Sequence, residues 1–188
     1  MFGVDALAPE LAQHIDEVLI TGVEIDAKLA DLAKRLDEAY EGRQVLLVGV
    51  LKGAFVLMAD LARHLTVAAS VDFMAVSSYG SSTRTSGVVR ILKDLDTDIE
   101  NRHVVLVEDI VDSGLTLDYL VKNLRARKPA SLEVFALLTK PSTRRMPVEI
   151  AYRGFEVPDV FVVGYGLDYA ERYRNLPFIA TLKEEAYT

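Results

Sequence analysis

The chain has 188 residues, 51% of them hydrophobic, with no cysteine and a formal net charge of −7 at pH 7. That length suits one domain with a real core, and the apolar fraction excludes a disordered chain. The missing cysteine excludes disulfides, thiolate catalysis and thiolate metal sites, and the acidic balance argues against nucleic acid as a default partner.

Met1-Phe2-Gly3-Val4-Asp5 carries no basic leader and no long apolar core. No signal peptide is therefore expected. No apolar stretch is long enough to span a bilayer, so the expectation is a cytoplasmic protein without a membrane partner. From there the apolar spacing predicts helices over about Pro9–Ile20 and Asp26–Tyr40, the second burying Leu29, Leu32, Ala33 and Leu36. Gln44–Leu51 reads as a buried strand, Gly53–Leu65 as the helix after it, and Val71–Ser77 as another strand. Ser78–Ser86 is a polar run of Ser, Thr and Gly that reads as a flexible loop, with Val88–Leu92 as its returning strand. Val104–Glu108 is a strand and Leu115–Arg127 a helix. Leu132–Thr139 and Val160–Tyr165 are further strands. The alternation of strand and helix predicts an α/β fold with a central, mostly parallel sheet flanked by helices. No repeat, linker or low-complexity segment divides the chain, so residues 1–188 are read as a single domain.

The stretch richest in chemistry is Val104-Val105-Leu106-Val107-Glu108-Asp109-Ile110-Val111-Asp112-Ser113-Gly114-Leu115-Thr116. An apolar strand delivers adjacent carboxylates at its carboxyl end, where open α/β sheets bind ligands. A Ser-Gly-x-Thr turn then leads into a helix. Its backbone N–H groups and two hydroxyls can face a phosphate. Asp112, Ser113 and Thr116 are also ordinary cap residues. Glu108 and Asp109 are harder to explain that way, because neighbouring carboxylates after Val-Val-Leu-Val repel one another and are costly to desolvate without a cation or a hydroxyl ligand. Acids beside a phosphate cradle suggest a sugar phosphate.

This stretch resembles the PRPP-binding motif of type I phosphoribosyltransferases, and other segments narrow the resemblance to the hypoxanthine-guanine phosphoribosyltransferase family. Leu51-Lys52-Gly53-Ala54 is similar to that family's diphosphate loop, Ser78-Tyr79 to the start of its mobile catalytic loop, and Leu137-Leu138-Thr139-Lys140 to its purine-contacting strand end. Phe155-Glu156-Val157-Pro158-Asp159, then Phe161 to Tyr169, then Arg174 resemble its hood segment. The segments occur in the family's order over nearly the whole chain after Tyr40. The resemblance implies a type I phosphoribosyltransferase fold with a small hood formed by the N- and C-terminal segments.

It also implies roles. Asp112 is the catalytic base; Lys52, Gly53 and Arg174 hold diphosphate. Glu108, Asp109, Asp112, Ser113, Gly114, Leu115 and Thr116 hold the ribose and its 5′-phosphate. Lys140, Phe161, Val162 and Asp168 bound the purine, with Lys140 donating to the six-position oxygen, Phe161 stacking and the Val162 backbone reading the base edge. Glu108, Asp109 and Asp168 are the implied Mg²⁺ ligands, and Ser78 and Tyr79 belong to the mobile loop. In the family the peptide before the Lys52 position can be cis. Taken singly, most of these residues have plainer readings: Lys52 and Lys140 as solvated lysines, Phe161 as core, Asp168 as a turn residue, Arg174 as surface charge. Ser113 stands where many relatives have Thr, and Leu115 where they are often polar.

The implied activity is purine salvage: PRPP and hypoxanthine or guanine give IMP or GMP plus diphosphate. A homo-oligomer, dimer or tetramer, is implied as well, and no nucleic acid partner. Net acidity is compatible with a polyanionic substrate where Mg²⁺, Lys52 and Arg174 set the local field. The rival readings are a phosphoribosyltransferase for xanthine or a pyrimidine, and a non-catalytic relative that binds RNA to regulate transcription. Simple NAD or NTP binding is disfavoured because neither G-x-G-x-x-G nor a Walker P-loop occurs.

Overall fold

A computed structural model describes residues 4, 7–78 and 89–187. Among these, six strands form the main sheet: β2 (Val45–Leu51), β3 (Ala69–Ser78), β4 (Val89–Lys93), β5 (His103–Val111), β6 (Ser131–Thr139) and β7 (Tyr152–Glu156). Their order is β4-β3-β2-β5-β6-β7. Only β4 runs antiparallel to its neighbour; the other pairings are parallel.

The apolar runs are continuous because both sheet faces are covered. Along β2, Val45 and Leu47 point into a core shared with α2 (Gly22–Ala39) and α3 (Phe55–His64), while Leu46, Val48 and Val50 point into a core shared with α4 (Leu115–Arg125). β5 alternates the same way, with Val105 and Val107 on the first side and Val104 and Leu106 on the second. Strict alternation carries every side chain to one layer or the other, so neither face needs a polar residue. Helix α2 begins at Gly22, earlier than its apolar periodicity indicated, because Thr21 and Glu24 form a reciprocal capping box that satisfies two terminal N–H groups. No helix among the described residues is long and apolar enough to cross a membrane.

The expected helix over Pro9–Ile20 needs correction. Only Pro9–Ala12 is helical (α1), and Ile15–Ile20 is a strand, β1. β1 pairs antiparallel with β9 (Ile179–Leu182), which also pairs with the short β8 (Val162–Val163). This second, three-stranded sheet has its own core of Ile15, Val163, Tyr173, Leu176, Phe178, Ala180 and Leu182. A partner more than 150 residues away overrides the local helical spacing. The expected strand over Val160–Tyr165 shrinks to Val162–Val163, and Tyr152–Glu156 and Ile179–Leu182 are strands that the apolar pattern did not single out. β5 is longer than expected: Glu108 and Ile110 still pair with Ala136 and Leu138 of β6, so the adjacent acids sit inside the ladder. The expected loop over Ser78–Ser86 lies outside the described residues after Ser78, which ends β3.

Candidate active site

The chain moves outward from β2 to β3 on one side and returns to β5, β6 and β7 on the other. The connections therefore diverge between β2 and β5, and a crevice opens at the carboxyl ends of those strands. A cleft of about 520 Å³ lies there. Lys52 and Gly53 enter it from the end of β2, Glu108, Asp109 and Asp112 from β5, and Lys140 from the end of β6. Phe161, Val162, Asp168 and Arg174 close it from the segment around β8. Ile110, Val50, Val76 and Leu167 supply apolar wall. Ser113, Gly114 and Thr116 line an adjoining hollow of about 180 Å³, sharing Glu108, Ile110 and Asp112 with the main cleft.

Parallel register explains who meets whom. Val111 lies beside Thr139, so the next residues, Asp112 and Lys140, leave the sheet side by side, and the Lys140 N–H donates to the Val111 carbonyl at 3.0 Å. Lys140 is only 8% exposed; its ammonium stands 3.7 Å from Asp159. Asp112 is exposed and opens the turn into α4. Gly114 there has φ +79°, a left-handed conformation that suits glycine. The Leu115 N–H donates to Ser113 Oγ at 3.4 Å. The Ser113 carbonyl is fixed from outside by the N–H groups of Arg145 and Met146, at 2.9 and 3.2 Å. Leu115 itself starts α4 and lines neither cavity.

The Leu51–Lys52 peptide is cis. A Cβ on Gly53 would overlap the Asp109 carboxylate, and one on Gly166 would overlap the Gly53 carbonyl. Bare backbone is what lets the end of β2, the end of β5 and the Gly166 loop converge.

Electrostatics set this cleft apart. Burial, and then the charge of Asp109, push the Glu108 carboxyl well above the usual carboxylate range. Burial also pushes Asp109 up to about 6, against hydrogen bonds from backbone N–H groups and the nearby Arg174 charge. On the other wall Arg174 donates to the Gly166 carbonyl at 2.8 Å and pairs with Asp168 at 2.9 Å and Glu171 at 3.3 Å. Glu171 also pairs with Lys52 at 3.1 Å, and these two cations hold its carboxyl below its ordinary value. Glu171 therefore bridges the two expected diphosphate cations; no motif singled it out. Nor did one single out Arg144, whose Nε and Nη2 are buried without a hydrogen-bond partner beside the segment that holds Ser113. Asp168 faces Arg174 and accepts the Glu171 N–H at 2.8 Å. No group of three His, Cys, Asp or Glu among the described residues stands ready to hold a metal unaided, so Glu108, Asp109 and Asp168 do not form a cage. Ser78 contributes only its strand position here, and Tyr79 lies outside the described residues.

The raised carboxyls carry a pH signature. An unfolded chain has its aspartate near 3.9, whereas Asp109 in the fold titrates at about 6. Between those values the folded state binds more protons than the unfolded one, so this group's contribution to stability falls as pH rises and levels off above 6. Asp109→Asn, which cannot ionise, is expected to be more stable than the parent at pH 7.5, the difference disappearing below pH 4. Urea unfolding of both proteins across that range checks it. A constant difference would mean Asp109 is not held against ionisation.

A phosphoribosyl transferase domain matches residues 14–170. The hypoxanthine-guanine phosphoribosyltransferase of Bacillus subtilis strain 168 is 53% identical over 177 residues, covering 94% of this chain and 98% of that protein. The enzyme of the same description from Mycobacterium tuberculosis H37Rv is 54% identical over 179 residues, 92% of this chain and 89% of that one. A crystal structure of a hypoxanthine phosphoribosyltransferase from Staphylococcus aureus superposes with a TM-score of 0.92 at 43% identity, over 97% of this chain and 99% of that one.

Proposed function

The chain belongs to the phosphoribosyl transferase domain family and, within it, to the hypoxanthine-guanine phosphoribosyltransferases, and on that premise we propose how its cleft works. The reaction is purine salvage: the 5-phosphoribosyl group passes from PRPP to hypoxanthine or guanine, giving IMP or GMP and diphosphate. The observation that carries the reading is one cleft in which buried acids, a phosphate-sized hollow, two cations and a buried lysine converge from four segments distant in sequence.

At the anomeric carbon the bond to diphosphate breaks and a bond to N9 of the base forms. Positive charge develops on the ribose ring, so catalysis is mainly positioning and charge stabilisation. The turn from Asp112 to Thr116 holds the 5′-phosphate with N–H groups and hydroxyls. Glu108 and Asp109 accept from the ribose hydroxyls. Lys52 and Arg174 exchange Glu171 for the departing diphosphate, a more highly charged partner. Phe161 stacks on the base, the Val162 backbone meets its edge, and Lys140 donates to its six-position oxygen. Asp112, beside Lys140, accepts the N7 proton as N9 attacks. The segment from Ser78 and Tyr79 closes the cleft against water.

Mg²⁺ fits these residues. Glu108 and Asp109 are hard oxygen donors whose raised proton affinity marks negative charge that the protein leaves uncompensated. Two carboxylates with Asp168 nearby, and no complete cage, suit an ion that keeps several waters and takes substrate oxygens. When bound, it would add positive charge opposite the leaving diphosphate.

The chain acts as one cytoplasmic domain whose three-stranded sheet forms the hood. It assembles as a homo-oligomer, dimer or tetramer, for which Val71 and Leu92, both more than half exposed on neighbouring strands, offer apolar surface. The test is a panel of bases with PRPP and Mg²⁺. Hypoxanthine and guanine are expected to give nucleotide, whereas adenine and uracil are not, and RNA is not expected to be retained in a filter assay. Preferential turnover of a pyrimidine, or tight RNA binding without turnover, would overturn the reading.

A further inference from the structure

Phe161 is 48% exposed, so the core does not fix the orientation of its ring. Two tyrosines meet it instead. Tyr169 stands edge to face with Phe161, centroids 5.8 Å apart and planes at 85°. Tyr187 does the same at 5.8 Å and 83°. The two tyrosines meet each other at 5.2 Å and 75°. The three centroids therefore make a nearly equilateral triangle. Rings on opposite sides of Phe161 would be about twice as far apart as each is from it, so both tyrosines lie to one side of a ring that also lines the cleft.

Tyr187 is not a dangling residue. It ends a 3-10 turn, Glu184–Tyr187, closed by the Ala186 N–H on the Lys183 carbonyl at 2.9 Å. Lys183 is fastened in turn: its N–H donates to the His14 carbonyl at 3.0 Å and its ammonium to the Gln13 carbonyl at 2.9 Å. Ala186 packs on the core of the small sheet, and the Tyr169 hydroxyl donates to the Tyr187 carbonyl at 3.4 Å. The backbone beside β1 and β9 thus places an aromatic ring against a residue that lines the cleft. Edge-to-face contact uses the ring quadrupole and is sensitive to angle, which makes it suited to setting the tilt of a stacking surface.

We infer that Tyr187 is a positioning residue for purine recognition, acting with Tyr169 to hold the Phe161 ring at the angle on which the base stacks. This rests on the reading of Phe161 as the purine platform, so the experiment includes that residue. Steady-state kinetics are measured for Tyr187→Ala, Tyr187→Phe, Phe161→Ala and the Phe161→Ala/Tyr187→Ala pair. Tyr187→Ala is expected to raise the KM for hypoxanthine by about three- to ten-fold, the scale of one aromatic pair, leaving kcat and the KM for PRPP at parent values. Tyr187→Phe keeps the ring and is expected to match the parent. In the Phe161→Ala background, Tyr187→Ala is expected to add nothing, because the ring it orients is gone. Three results would overturn the inference: an unchanged hypoxanthine KM in Tyr187→Ala, a parallel rise in the KM for PRPP, or full additivity in the pair. If Phe161→Ala itself leaves the hypoxanthine KM unchanged, the platform reading fails; if only Tyr187→Ala does, the platform stands and the brace falls.

Discussion

Asp112→Asn is expected to lower kcat by about 10²–10⁴, the usual contribution of a positioned general base. The KM for PRPP should change little. Asp112 lies between the two halves of the site: it lines both the phosphate hollow and the main cleft. Parallel pairing of β5 with β6 sets it beside Lys140. In the proposed pose, a base bound under Lys140 by its six-position oxygen presents the adjacent N7 to this carboxylate. Asparagine keeps the size and the capping ability of aspartate but is a far weaker proton acceptor. Asp112 is exposed and its loss leaves no buried charge unpaired, so the fold should survive. Near-parent turnover with guanine would remove Asp112 as the base.

Lys140→Met should act on specificity rather than on the chemical step. An ammonium only donates hydrogen bonds; a 6-oxopurine offers an acceptor there and adenine a donor. Losing a charge-assisted hydrogen bond costs about 1.5–3 kcal/mol, or about 10- to 150-fold in kcat/KM for hypoxanthine. Discrimination against adenine should shrink by a similar factor. Methionine fills the same largely buried channel, and the Asp159 carboxylate left behind is 64% exposed and stays solvated, so stability should be nearly unchanged. Full hypoxanthine efficiency together with full rejection of adenine would show that Lys140 does not read the base.

Much of the architecture was legible because the parallel strands are buried on both faces. Runs such as Val45–Leu51 and Val104–Val107 have no polar break, and only a sheet covered by helices on both sides accommodates them. The acidic end of β5 and the turn to Gly114 could likewise be read locally, since strand, carboxylates, glycine and helix follow one another within a short segment. What could not be read depends on distant partners. Ile15–Ile20 has helical spacing and becomes a strand because Ile179–Leu182 pairs with it. Ala170 and Glu171 both adopt positive φ without being glycine or asparagine, so no turn signal marks the hairpin that carries Glu171 between Lys52 and Arg174. The meeting of Phe161 with Tyr187 follows from the docking of residues 183–186 on the small sheet, which no periodicity encodes.

The most direct measurement mixes the protein with hypoxanthine, PRPP and Mg²⁺ and quantifies IMP and diphosphate together. Equal amounts of the two are expected, requiring all three components and nearly abolished in Asp112→Asn. Diphosphate released without IMP, or no turnover with hypoxanthine while another base reacts, would contradict phosphoribosyl transfer to a 6-oxopurine in this cleft.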